Sequence, residues 1–136
     1  MADKRLYTSY YARSGNNPSA IAISAKAPPF YKGSFYAPLA PTWELLRAYK
    51  SGKLDERGYT EWYLRLLIGE RKLTPQQVVD ELPDGSILLC YEGPGKFCHR
   101  HIAAEWIESN TGTVVTEIQL EQPKLPHNPV DDLLEF

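Results

Sequence analysis

The residues best suited to chemistry lie close together: Cys90, Glu92, and the triplet Cys98-His99-Arg100. A thiolate is a nucleophile, an imidazole or carboxylate moves protons, and a guanidinium presents a planar fork of donors to phosphate or carboxylate. If the triplet opens a helix, its unpaired N–H groups and the positive end of the macrodipole favour an anion and lower the pKa of Cys98. We therefore expect Cys98 as nucleophile, with Glu92 and His99 handling protons and Arg100 holding an anionic ligand. Cys90, Cys98, His99 and His101 are also zinc-type donors, but the seven residues between the cysteines lack the tight CxxC knuckle of structural zinc sites. No metal or other cofactor is expected, and Cys90 reads as a core residue. Set against the site is a bland reading, because cysteine is among the most buried residue types and adjacent helix residues point in different directions.

Positioning such a triplet takes a strand before it and a helix within it. Residues 86–90 (SILLC) form a continuous apolar run, as in a strand covered on both faces of a parallel sheet. Ile102, Ala103, Trp106 and Ile107 then recur at helical spacing, and Gly112 precedes the β-rich residues 113–118. Strand, turn, helix and strand make a βαβ unit. Residues 6–11 and 20–24 predict two earlier strands, each followed by loop formers. The clearest helix carries Tyr59, Trp62, Tyr63, Leu66 and Leu67 on one face. Thr42 predicts the cap of a helix to about residue 51, and Thr74-Pro75-Gln76-Gln77 a capping box for a short helix ending before Pro83. The sum is one Rossmann-like α/β domain of three layers over residues 1–120, with a mainly parallel sheet of about four strands flanked by helices. Residues 121–136 form a C-terminal extension.

In an open α/β sheet, ligands bind beyond the carboxyl ends of the strands. That rule adds Tyr11, Arg13 and Ser14 after the first strand and Lys26 after the second to the ligand-binding set. The Gly93-Pro94-Gly95 turn is too short for a phosphate cradle and contains no GxGxxG or P-loop pattern. Residues 28–41 hold four prolines and the aromatics Phe30, Tyr31, Phe35 and Tyr36, read as a connector packed on the body or a binding surface.

The segment LLCYEGPGKFCHRHIAAEWI, residues 88–107, resembles the signature of the domain of unknown function 488 family: an apolar strand ending in Cys and Glu, then Cys-His-Arg opening a helix. The match rests on Cys90, Glu92, Cys98, His99 and Arg100, and the N-terminal third departs from the family's opening. The resemblance implies an α/β fold and the position of a site, and no reaction.

Whole-chain numbers narrow the field. The 136 residues suit one domain, and 43% hydrophobic with 24% charged residues is a globular composition. A formal charge of -2 provides no global footprint for nucleic acid or anionic membrane. The first residues have no long apolar stretch, and two cysteines make no disulfide framework, so a soluble cytoplasmic protein with reduced thiols and no membrane association is expected. The function expected is binding of a small anionic ligand, phosphate-bearing or nucleotide-like, with thiol-based catalysis. The alternative is a non-catalytic bacterial or phage interaction protein using the Pro/aromatic connector or the acidic end of the chain. Asp131, Asp132, Leu133, Leu134 and Phe136 there make a workable short partner motif, which loosely resembles the phenylalanine-ended tails of bacterial single-stranded DNA-binding proteins.

Overall fold

The computed structural model describes residues 4–93 and 95–119. Five parallel strands, β1 (Arg5–Tyr10), β2 (Ala20–Ala22), β3 (Ser34–Phe35), β4 (Ile87–Cys90) and β5 (Val114–Glu117), form one sheet in the order β3-β2-β4-β1-β5. The apolar run of β4 earns the central place, with every residue buried and its neighbours β1 and β2 parallel on either side. Alternation along β4 serves two cores: Leu88 joins the larger, Ile87 and Leu89 the smaller.

The layers are unequal. The larger core takes α2 (Trp43–Lys50), α3 (Glu56–Arg65), α4 (Pro75–Glu81) and α5 (His99–Thr111), which pack Leu45, Tyr63, Val78 and Ile107 against Leu6, Ile23 and Leu88. The smaller is closed by Tyr11, which opens the one-turn helix α1 (Tyr11–Ser14), and by Tyr31 from the connector. Truncating a fully buried leucine such as Leu88 to alanine costs about 2–5 kcal/mol.

Capping decides where the helices start. Thr42 accepts a hydrogen bond from the Leu45 amide and Thr74 from the Gln77 amide, as their positions predict, and Asp55 caps α3 through the Gly58 amide. The Gln77 side chain reaches Glu81 instead of turning back, so the capping box is half formed. α3 starts three residues before Tyr59 and gives way to a π turn at Leu66–Glu70. Gly112 closes α5 with φ +75°, a left-handed conformation that glycine adopts without a Cβ penalty.

Three expectations change in detail. The sheet has five strands instead of about four, because residues 34 and 35 of the connector pair with β2 as an exposed edge strand too short to leave a periodic signal. The expected loop at 13–18 begins as α1. The first strand ends at Tyr10, which leaves Tyr11 inside the fold. No helix among the described residues is long and apolar enough to cross a membrane. Pro94 and the motif of Asp131, Asp132, Leu133, Leu134 and Phe136 lie outside the described residues.

Candidate functional site

At the carboxyl edge, Ala22 of β2 and Leu89 of β4 stand in register, and the chain leaves these neighbouring strands in opposite senses. From β2 it runs outward to β3; from β4 it runs through α5, past β1, to β5. Ligand crevices form where the strand order reverses in this way. On the larger-core side a cleft of about 480 Å³ opens between the exit of β2, the exit of β4 and α2. Its deep side is Cys90, Cys98 and His99, all buried. Its walls are aromatic. Tyr49, Tyr59 and Phe97 form a triangle with each pair of ring centroids 5.3 Å apart, and Trp43 and Tyr91 flank the opening with about half their surface exposed. Lys26, Lys50 and Glu92 are the charged residues of the lining, all three exposed. Burial, followed by the nearby Glu92 carboxylate, raises the Tyr59 hydroxyl pKa, so that hydroxyl stays protonated.

Cys90 ends β4 and Cys98 is the N-cap of α5, so the strand end and the helix start stand at the same corner. The two are joined as a disulfide, which corrects the expectation of free thiols: the strand end and the helix start converge, and the sequence spacing did not reveal it. Cys98 makes no side-chain capping bond. His99 is held by its far nitrogen, Nε2, which donates to the Ile23 carbonyl at 2.7 Å. That bond fixes the tautomer and leaves the Nδ1 lone pair facing Cys98 Sγ at 3.8 Å. Burial pushes the His99 pKa down to about 4, with the Arg100 charge adding to it, so the ring is neutral at pH 7.

Arg100 does not face this cleft, and the expected ligand contact is corrected. The side chain is fully buried beneath the strand ends. Nε and Nη2 donate to the two carboxylate oxygens of Glu117 at 3.0 and 2.9 Å, and Nη1 to the Glu92 carbonyl at 2.6 Å and to Cys90 Sγ at 3.1 Å. Burial alone raises the Glu117 pKa, but the hydrogen bonds from Arg100 and Thr8 and the Arg100 charge outweigh it and hold the carboxyl below its ordinary value. Such a bidentate pair fixes geometry, and with four of its five N–H groups engaged inside the fold the buried fork is not presented to the cleft.

The other expected ligand residues divide in the same way. Cys98, His99, Glu92 and Lys26 meet at the cleft as the sequence suggests. Arg13 does not. It stands over the Tyr10 ring, donates to the Ile118 carbonyl and lines a second cleft with Lys96, His101 and Glu117. Tyr11 is buried against Tyr31 and Tyr91 with its hydroxyl on Ser24, and Ser14 pairs with Ser9 in the interior. What sequence reasoning missed are Trp43, Tyr49 and Lys50 on α2, Tyr59 on α3, and Glu117. The tyrosines carried a signal, their place on amphipathic faces, which reads equally well as core. Glu117 had none beyond its place at the end of the last strand.

Fold and site define a small parallel α/β protein with an aromatic-walled cleft over a buried Cys-Cys-His corner. No protein-family model matches the chain, and neither a curated protein nor a solved structure matches it.

Proposed function

We propose that the protein binds a small anionic ligand with an aromatic ring system, a nucleotide or similar phosphate ester, in the cleft above Cys90, Cys98 and His99. The observation that carries this reading is the combination within one cleft of stacking surfaces and two lysines that form no ion pair among the described residues. Aromatic faces stack on bases for about 1–3 kcal/mol each, and exposed ammonium groups meet phosphate as point charges. In this reading Lys26 has the ligand-binding role expected of it, and Lys50 takes the one expected of Arg100 and Arg13. Cys98 and the neutral His99 Nδ1 at the deep end support thiol chemistry on the bound ligand once the pair is reduced. The resemblance of residues 88–107 to the domain of unknown function 488 family agrees with a site at this corner and leaves the reaction open.

The test is calorimetric titration and thermal shift of the oxidised, metal-free protein against nucleoside mono-, di- and triphosphates, nucleosides and inorganic phosphate. Binding by a nucleotide that weakens in Trp43→Ala and in the double variant Lys26→Ala/Lys50→Ala supports the reading. At 100 times its dissociation constant such a ligand stabilises the fold by about 2.7 kcal/mol. No heat and no shift with any of these ligands at millimolar concentration overturns it.

A second reading, a non-catalytic interaction protein, is favoured by Phe30 of the connector and Phe35 of the edge strand β3, which are 50% and 59% exposed. Exposed aromatics at and before a short edge strand suit docking of a protein segment. Under it, Phe30→Ala/Phe35→Ala removes partner capture and leaves nucleotide affinity unchanged.

A further inference from the structure

The deep end of the cleft holds a donor set that ligand stacking does not use. Cys90 Sγ, Cys98 Sγ and His99 Nδ1 lie within 4.8 Å of one another, all on buried residues. We propose that, with the two cysteines reduced, this corner binds one zinc-type divalent cation through those three atoms, with a fourth coordination position open to the cleft. This inference stands on the donor geometry and is independent of the nucleotide reading.

Four observations converge on it. The Cα atoms of Cys90 and Cys98 are 7.4 Å apart, wider than the roughly 4.4–6.8 Å usual for a disulfide, so the backbone frame leaves room for an ion between two thiolates. The 3.8 Å between His99 Nδ1 and Cys98 Sγ is close to the roughly 3.6 Å that a tetrahedral angle gives for zinc–nitrogen and zinc–sulfur bonds of about 2.1 and 2.3 Å. His99 already has the outer contact typical of a metal-bound imidazole, its far N–H on the Ile23 carbonyl, which holds the lone pair of Nδ1 toward the sulfurs. Arg100 Nη1 donates to Cys90 Sγ at 3.1 Å, a charge-assisted contact that favours the thiolate a metal requires. Two thiolates and one imidazole are soft and borderline ligands of the kind that select zinc over calcium or magnesium. The three ligands sit on a strand end and a helix start, which gives them fixed positions.

The balance is explicit. A thiol or phosphine reductant supplies the two electrons that cleave the Cys90–Cys98 bond, and two protons complete the thiols. Metal binding then releases both thiol protons to solvent as two sulfur–metal bonds and one nitrogen–metal bond form. Three protein ligands and an open position are the pattern of zinc sites that polarise a bound water or substrate. The open position faces the cleft that Glu92 lines, so a metal-bound water there has a carboxylate in the same chamber.

The test is anaerobic titration of the phosphine-reduced full chain with Co2+, read by absorption. We expect one Co2+ per chain with tetrahedral ligand-field bands and thiolate-to-cobalt charge transfer, both bleached by stoichiometric Zn2+. Cys90→Ser and Cys98→Ser lower the affinity by more than the roughly 10–100-fold that loss of an outer-shell partner costs, and His101→Ala, outside the set, leaves the spectrum unchanged. A wild-type spectrum that stays that of aqueous octahedral Co2+, or a tetrahedral spectrum that persists in Cys98→Ser, overturns the proposal. Since His99 is buried and its substitution perturbs the core, alkylation of the wild type supplies the second measurement: Zn2+ protects both thiols and a chelator restores their reaction, whereas undiminished alkylation with Zn2+ present overturns the site. The cobalt titration contains no nucleotide and the nucleotide titration no metal, so either proposal can fail without the other.

Discussion

The two clefts that flank the start of α5 differ in kind, although consecutive residues supply both. His99 faces the aromatic cleft, while His101 lines the second, polar cleft with Arg13, Glu56, Lys96 and Glu117. Arg100, between them in sequence, reaches neither and ties β4, β5 and the helix start together from beneath. Residues one apart on a helix diverge by about 100°, so one short motif serves a cleft wall, a buried strut and a second rim. The pattern teaches that the most ligand-like residue of the triplet holds the site together, and that recognition falls to side chains from α2 and α3.

The sharpest way to break this comparison is at the strut. Arg100→Ala leaves the part-buried Glu117 carboxylate without its partner and should cost about 3 kcal/mol in denaturant unfolding, the lower end for a broken buried pair because Glu117 retains some solvent contact. A loss below about 1 kcal/mol would return Arg100 to the candidates for ligand contact.

Acid comes next. The native His99 pKa of about 4 lies below the ordinary 6.5, so the unfolded chain takes up a proton that the native corner refuses. Stability present above pH 6.5 should therefore fall by up to about 3 kcal/mol as pH drops toward 4, in metal-free oxidised protein. Urea midpoints across that range measure it. His99→Gln should flatten most of the slope; His101, whose pKa burial and then the Arg100 charge also lower, contributes in the same window and sense, and Glu117 only below its ordinary range near 4.5, so an unchanged slope would move its cause to His101.

Of intermediate size is the support of the aromatic cleft. The Tyr63 hydroxyl donates to the Leu39 carbonyl at 2.6 Å, fixing the connector just before α2. Tyr63→Phe leaves that carbonyl unsatisfied and should cost about 1–2 kcal/mol, with ligand affinity reduced in the aromatic cleft and the second cleft unaffected. Equal loosening of both clefts in hydrogen exchange would show the two to be one unit.

The smallest effect separates the clefts directly. Lys26→Ala or Lys50→Ala should each weaken nucleotide binding by roughly tenfold, about 1.4 kcal/mol, while Lys96→Ala in the second cleft changes it by less than about twofold. The reverse ranking in calorimetry would move the anion site to the polar cleft.

Much of this architecture is written in local pattern. The four-residue apolar run of β4 marks a strand buried on both faces, Thr42 and Thr74 mark helix starts by their side-chain oxygens, and Gly112 marks an end. Those signals act within a turn or a strand pair, which is why Cys90, Cys98 and His99 could be placed at a strand–helix corner from sequence. Pairings across the fold left no such mark. The sulfurs at the end of β4 and the start of α5 meet only when the helix packs on the sheet, as do Arg100 and Glu117, seventeen residues apart.

By itself, the sequence determined the parallel α/β class, the central strand and the corner where reactive side chains gather, because period, caps and turn residues are properties of neighbouring positions. Only the tertiary structure decided which way each of those side chains points, that Arg100 is a buried strut, that α2 and α3 wall the cleft with aromatic rings, and that Cys90 Sγ, Cys98 Sγ and His99 Nδ1 converge to within 4.8 Å. Those outcomes depend on distances between elements far apart in the chain, which are set when the helices pack on the sheet.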